Sequence, residues 1–238
     1  MMATPQSSWY SVQRQIGIFL LVCLFVLSPR FYAFQSEHPI SGRHIAPVMG
    51  VGGADWLDRG ERESEENPEG ALDAIGIKPG MTVADVGAGT GYMTLKMAKR
   101  VGPSGKVYAE DVQPEMLTRL RKNAAEAKLA NIQTVLGGEA DPKLPENTLD
   151  LILLVDVYHE FSQPQRMLRK MREALKPDGR LVLLEYRKED PSIPIRAEHK
   201  MSVQEVKLEL EAEGFHLDRV LETLPRQHIL ILTKSKAN

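Results

Sequence analysis

The chain has 238 residues, 42% hydrophobic and 26% charged, a length and balance that fit one α/β domain with a tail and exclude a disordered chain. Thirty basic against thirty-two acidic side chains leave a formal net charge of −2, so there is no global positive field to hold nucleic acid through its phosphates. A single cysteine, Cys23, excludes an intramolecular disulfide and a cysteine-built zinc or iron–sulfur centre.

Residues 1–34 read as an N-terminal hydrophobic segment. Ile16 to Leu27 is an unbroken apolar run between Arg14 and Ser28-Pro29-Arg30. It is shorter than the roughly 20 apolar residues of a spanning helix and has the length of a signal-peptide core. Extending it past Arg30 would cost about 2.5–3.5 kcal/mol with that charge at the bilayer centre. A signal peptide or short anchor is therefore expected, with membrane association through residues 16–27. The alternative is a buried core helix. The Phe31-Tyr32-Ala33 stretch places a small residue at one of the two positions a cleavage site wants, so cleavage is left open.

Residues 35–67 turn to glycine, proline and charge, and are expected to form an extended arm lying on a domain that spans residues 68–238. Within the arm, Asp58 to Glu66 reads as a solvated helical turn or part of a loop. After Asn67-Pro68, an N-cap followed by proline, come a short helix with Leu72 and Ile75, a strand over Thr82 to Val86, a helix over Gly91 to Arg100 and a strand over Lys106 to Glu110. A helix from Pro114, a strand over Ile132 to Leu136 and the near-continuous apolar run Leu149 to Val155 follow. That run marks a central strand covered on both faces. Pro164 opens another helix, closed by Lys176-Pro177-Asp178-Gly179, and Arg180 to Tyr186 is the next strand.

Alternating strands and helices imply a doubly wound, Rossmann-like α/β fold with a mostly parallel sheet. The C-terminal end differs. Ser202-Val203-Gln204-Glu205 fits a capping box opening a helix that Gly214 stops. Strands at Leu217 to Thr223 and Gln227 to Leu232 are then joined by Leu224-Pro225-Arg226 alone. No parallel crossover fits that span, so an antiparallel C-terminal hairpin is expected.

The residues richest in chemistry are Asp85-Val86-Gly87-Ala88-Gly89-Thr90-Gly91-Tyr92. Glycines at a strand-to-helix turn allow positive φ and close ligand approach, and the helix N-terminus offers free N–H groups. The spacing is GxGxG, whereas a dinucleotide fingerprint needs glycine where Tyr92 stands. About twenty residues on, the second strand ends in Glu110-Asp111, where a carboxylate can accept hydrogen bonds from ribose hydroxyls.

Together DVGAGTG, YAEDVQPEML and GGEADPKLPENTLDLILLVD resemble the class I S-adenosylmethionine-dependent methyltransferases, of the generic small-domain type, over roughly Ala71 to Lys234. The resemblance implies seven strands in the order 3-2-1-4-5-7-6, S-adenosylmethionine as cofactor, and methyl transfer; the near-neutral charge and the lack of a large inserted substrate domain favour a small-molecule or lipid-like acceptor over nucleic acid. By matching positions, Asp85, Gly87, Ala88, Gly89 and Gly91 would wrap the methionine part of the cofactor. Asp111 with Val112 would take the ribose side, Glu110 being the alternative acid, and Glu139 with Ala140 would lie near adenine. Asp156 would line the cofactor side after the fourth strand.

In-line methyl transfer needs alignment first and a base only if the acceptor must lose a proton. His159 and Tyr158, at the end of the fourth strand where ligands of open α/β sheets bind, are the candidates, with a structural His159–Glu160 pair that caps the next loop or locks the helix as the alternative. Glu185, Tyr186 and Arg187 could reach the same mouth, and His199-Lys200-Met201 could add a cationic contact. The histidines show no metal-ligand spacing, so no metal is expected. A non-catalytic cofactor-binding scaffold at a membrane and a nicotinamide-dependent oxidoreductase are the rival readings. Because the methyl donor is made in the cytosol, an anchor leaving the domain there is favoured over export.

Overall fold

The computed structural model describes Met1 and residues 36–235. The apolar run Ile16 to Leu27, with the expectations of a leader or anchor attached to it, lies outside the described residues. Among those described, no helix is long and apolar enough to cross a membrane.

Two short helices come first, α1 (Ala54–Leu57) and α2 (Arg62–Glu66), then α3 (Pro68–Ile75). The alternating body follows: β1 (Thr82–Val86), α4 (Tyr92–Val101), β2 (Lys106–Asp111), α5 (Pro114–Glu126), β3 (Ile132–Leu136), β4 (Leu149–Val155), α6 (Pro164–Ala174) and β5 (Leu175–Tyr186). Helix α7 (Val203–Glu211) and the strands β6 (Phe215–Leu221) and β7 (Gln227–Lys234) close the chain. The seven strands form one sheet in the order β3-β2-β1-β4-β5-β7-β6, parallel except for β7, which runs against both β5 and β6. This is the strand order that the resemblance implied, with the terminal hairpin its short connection requires.

Local chemistry sets the helix starts. Proline stands at the beginning of α3, α5 and α6, where its missing N–H costs nothing. The Ser202 hydroxyl accepts from the Glu205 amide while the Glu205 carboxylate accepts from the Ser202 amide, a complete capping box on α7. The apolar run of β4 sorts by parity onto two faces. Ile152 and Leu154 meet Met167, Leu168 and Met171 of α6 on one side. On the other, Leu151 and Leu153 meet Leu72 and Ile75 of α3 and Met97 of α4. Burial of such a side chain stabilises by about 1.5–3 kcal/mol.

Several boundaries differ from the sequence expectation, two of them for a reason visible in the strand pairing. Lys176 to Gly179 does not simply close α6 but belongs to β5, which starts at Leu175 opposite Leu149 and shifts register before Leu151. Strand β6 begins at Phe215, a side chain buried in the core, because its partner β7 continues to Lys234.

The arm is packed rather than merely laid down. Arg43 donates to Glu209 Oε1 (2.9 Å) and Oε2 (3.2 Å) of α7, and His38 sits buried between Glu209 and Tyr158. The stretch Asp58 to Glu66, expected as a solvated turn, includes α2, whose Arg62 and Glu66 are buried and paired at 2.7 Å. Charge at those positions faces the ends of the strands, not water.

Candidate active site

The glycine turn after β1 is dictated by space as much as by φ. Gly87 has φ +73°, and a Cβ there would stand 2.4 Å from Val157 Cγ2. At Gly91, φ is +96° and a Cβ would stand 2.7 Å from Leu120 Cγ. Any other residue would be strained at both positions and would push the turn after β4 and α5 away from the glycine turn. Below the turn, the buried Asp85 accepts from Thr94 Oγ1 at 2.6 Å, and burial pushes its pKa up to about 6. Its carboxylate ties β1 to α4 and does not line the cavity described below.

The Ala88 amide donates to the Glu110 carbonyl (2.8 Å) and the Gly89 amide to Asp111 Oδ2 (2.9 Å). Asp111 Oδ1 accepts from the Gln113 amide at 2.8 Å, so both its oxygens hold the loops that frame them. Burial raises the Asp111 pKa against these amide bonds. Glu110 is more isolated: Oε2 accepts a long bond from the Gly87 amide (3.4 Å), and Oε1 is buried without a partner. Burial, with the Asp111 charge beside it, pushes the Glu110 pKa up to about 8.

After β4 the chain turns through Asp156 at φ +51°, a left-handed conformation uncommon outside glycine and asparagine. Its Oδ2 accepts from Gln227 Nε2 at 2.7 Å and its Oδ1 is buried without a partner. Burial first, then Glu66 and Glu185, raise the Asp156 pKa.

The next turn carries His159. Its Nδ1 lies 2.7 Å from Glu185 Oε2 and its Nε2 lies 3.1 Å from His199 Nδ1. Glu185 Oε1 accepts from the Tyr158 amide at 3.0 Å. His199 Nε2 is buried without a partner. Burial, with His159 and Arg196 nearby, lowers the His199 pKa from 6.5. His159, Glu160 and His199 offer ligand-type atoms within 4.8 Å of one another. Burial raises the Glu160 pKa to about 7, and its Oε1 accepts from the Met49 amide at 3.3 Å.

These groups surround one cavity of about 610 Å³ at the C-terminal ends of β1, β2 and β4, within the roughly 300–1,000 Å³ of small-molecule sites. Of the residues read from sequence, Gly87, Gly89, Asp111, Val112, Glu139, Asp156 and His159 line it, and so does Glu110. Glu139 is at the exposed rim, where its Oε2 accepts from Ser162 Oγ at 3.1 Å. Asp85, Ala88, Gly91, Ala140 and Tyr158 are not among its lining residues. Tyr158 is fully buried, edge-on to Phe161, with its hydroxyl 3.4 Å from His38 Nε2. Its hydroxyl faces the arm because the 3₁₀ turn over Tyr158–Glu160 sends it and His159 in different directions.

Sequence reasoning missed the arm's part in this wall. Val48, Met49, Trp56, Leu57 and Arg62 all line the cavity, and the one pattern that could have signalled it was the apolar Trp56-Leu57 amid charge. Lys200 does not reach the cavity with its charge: its buried ammonium donates to the Asp190 and Ile193 carbonyls at 3.0 and 2.8 Å. His199 does line the cavity, and burial disfavours its charged form.

The family model described as "Methyltransferase domain" matches residues 77–224. A SAM-dependent methyltransferase from Aquifex aeolicus superposes with a TM-score of 0.74 at 32% identity, covering 78% of this chain and 98% of that one. Among curated proteins, the ubiquinone/menaquinone biosynthesis C-methyltransferase UbiE of Escherichia fergusonii is 33% identical over 118 residues, 49% of this chain and 47% of that protein. The chain thus matches about half the length of the curated relatives. The [4+2]-cyclase SpnF, at 16% identity and a TM-score of 0.61 over 72% of this chain and 80% of that one, shares the fold alone.

Proposed function

Since the chain belongs to the methyltransferase-domain family and is an S-adenosylmethionine-dependent methyltransferase, we propose that its acceptor is a small apolar molecule of the quinol class. The observation that carries this reading is the single cavity built jointly by the glycine turn, the Glu110-Asp111 acids and the apolar arm residues Val48, Met49 and Trp56. The partial likeness to a quinone-pathway C-methyltransferase supports the acceptor class.

The residues present fit the cofactor. Glu110 Oε1 and Asp156 Oδ1 are buried carboxyl oxygens without a partner, which buried polar groups rarely are without a ligand to complete them. Ribose hydroxyls, which both donate and accept, are partners of the right kind. In our assignment Asp111 takes them on its remaining lone pairs, with Glu110 beside it, and Val112 and Glu139 flank the base. Gly87 and Gly89 let the methionine part lie against the backbone, while Asp85, Ala88 and Gly91 hold that turn in shape from behind. When bound, S-adenosylmethionine supplies a methyl group on a sulfonium, an electrophile that needs alignment more than acid catalysis. His159 lines the same cavity and, with its ring nitrogens engaged by Glu185 and His199, is assigned to hold His199 in place at the acceptor side. Tyr158 is assigned to hold the His159 turn from the core.

Incubation with S-adenosylmethionine and 1,4-naphthohydroquinone, read by mass spectrometry, tests the acceptor class. One added methyl group per acceptor is expected. Cofactor binding with no transfer to this or other quinols, while another small-molecule class is methylated, would overturn it.

A further inference from the structure

The chain Glu185–His159–His199 ends inside the cavity wall on an atom with nothing to bond to. Glu185 is fully buried, and both its oxygens already accept, from the Tyr158 amide and from His159 Nδ1. As a carboxylate it has no proton to give, so His159 must donate through Nδ1. In neutral His159 that leaves Nε2 as a lone pair, and the 3.1 Å contact to His199 Nδ1 is then satisfied only if His199 donates through Nδ1. The last nitrogen, His199 Nε2, is left as an unprotonated acceptor, and it is the one in the chain without a partner. The tautomers are thus fixed in sequence from a buried carboxylate outward, the logic by which an orienting acid prepares a histidine base.

The position is specific. His199 lies in the 3₁₀ turn Ala197–His199 of the segment that leaves β5, and the Met201 amide returns to the Tyr186 carbonyl at 3.0 Å. This return sets the His199 ring edge-on to His159, with centroids 5.1 Å apart. Both rings line the cavity. The titratable groups around His199 are His159 and Glu160 from the turn after β4, Glu185 from β5, and Arg196 and Glu198 from its own segment.

Resting on the methyltransferase reading above, we propose that Glu185–His159–His199 is a proton-accepting relay and that the acceptor is one that surrenders an acidic proton, a phenolic or enolic hydroxyl. The hydroxyl proton passes to His199 Nε2, and positive charge on the coupled imidazoles is stabilised by Glu185. The electron pair released on the acceptor forms the bond to the methyl carbon as the carbon–sulfur bond breaks and its pair stays on sulfur. The proton leaves from His199 to solvent after transfer. His199 is the catalytic base here, while His159 and Glu185 are positioning residues.

The test compares the full chain with His199→Ala and Glu185→Gln, using S-adenosylmethionine and 1,4-naphthohydroquinone across pH 5–9. The relay predicts that kcat/KM of the parent falls on the acid side with an apparent pKa below that of free histidine. In His199→Ala that limb disappears, kcat drops by about 10²–10⁴-fold, cofactor affinity is retained, and added imidazole restores part of the rate. In Glu185→Gln the limb moves. A His199→Ala rate within threefold of the parent, with an unchanged pH profile, would overturn the relay. Failure of the parent to bind S-adenosylmethionine, or to methylate this probe, counts against the functional reading instead. The relay is then decided by ¹⁵N chemical shifts of the histidine rings at neutral pH: a proton on Nδ1 and none on Nε2 of His199 supports it, and the reverse tautomer overturns it. Stoichiometric zinc binding that is lost in His199→Ala would also overturn it, because the facing lone pairs would then belong to a metal.

Discussion

Glu110 and Asp111 are adjacent in sequence and do different work. Asp111 is committed to two backbone amides, so Asp111→Ala removes a loop anchor and, on the reading proposed above, a ribose acceptor. Its expected effect is at least about tenfold weaker S-adenosylmethionine binding, a loss of about 1.4 kcal/mol or more, with the fold retained. Glu110→Gln is expected to weaken binding less. Titration calorimetry on both variants checks the pair, and a larger loss in Glu110→Gln would transfer the ribose role to Glu110. Protonation separates them further. With its pKa pushed up to about 8, Glu110 holds a proton in the folded state over a range where the unfolded chain has lost it. Its contribution to stability is therefore present at low pH and is lost as pH rises through about 8, at about 1.4 kcal/mol per pH unit between the folded and unfolded values. Thermal melts should show Glu110→Gln gaining on the parent as pH rises from about 5 to about 9; a constant difference would contradict the buried, unpaired assignment. That an acid pair stands at the mouth of the cavity was legible from its distance beyond the glycine turn. Which oxygen lacked a partner depends on Gly137, where a Cβ would stand 1.7 Å from Glu110 Oε1, a contact between chain-distant residues that no local pattern records.

At the scale of elements, the arm is the part that changed meaning. Its Gly, Pro and charge content read as a covering segment, whereas its charges are the fastening. Arg43 joins α7 through Glu209 and also donates to the His159 carbonyl at 3.0 Å, so it links the arm to the turn that carries the relay. Asp58 accepts from Thr90 Oγ1 at 2.7 Å. Tyr92, where a dinucleotide-binding turn would have glycine, donates to Glu63 at 2.8 Å and lies under the Arg62 guanidinium at 4.2 Å. Arg43→Ala would leave Glu209 buried and without its guanidinium partner, for which the expected cost is about 3–5 kcal/mol. The double variant Arg43→Met with Glu209→Leu should recover most of that loss in urea melts. Equal destabilisation by the single and double changes would show that the ion pair is not what fastens the arm. Helix and strand periods made the body of the fold legible because each element there buries one face or two. The arm carries no such period, since it is held by ion pairs and caps whose partners are distant in sequence.

For the whole molecule, alternating strands and helices followed by a hairpin too tight for a crossover made the doubly wound class and the antiparallel edge legible, while the order of the strands came with the family resemblance. The same reasoning stops short of the acceptor, because the core that holds the cofactor is common to enzymes with different substrates and is shared by a cyclase. On the reading proposed above, substrate choice belongs to the wall contributed by the arm, by the turn after β4 and by the segment after β5. Only the middle of those three lies in a recognisable motif, which is why His159 could be read from sequence and Trp56 could not. Everything proposed for that wall depends on the cavity holding a methyl donor against Asp111. Calorimetric titration of the folded protein with S-adenosylmethionine and with S-adenosylhomocysteine tests this most directly. One site per chain for each ligand, weakened in Asp111→Ala, is the predicted result; folded protein that binds neither ligand would contradict it.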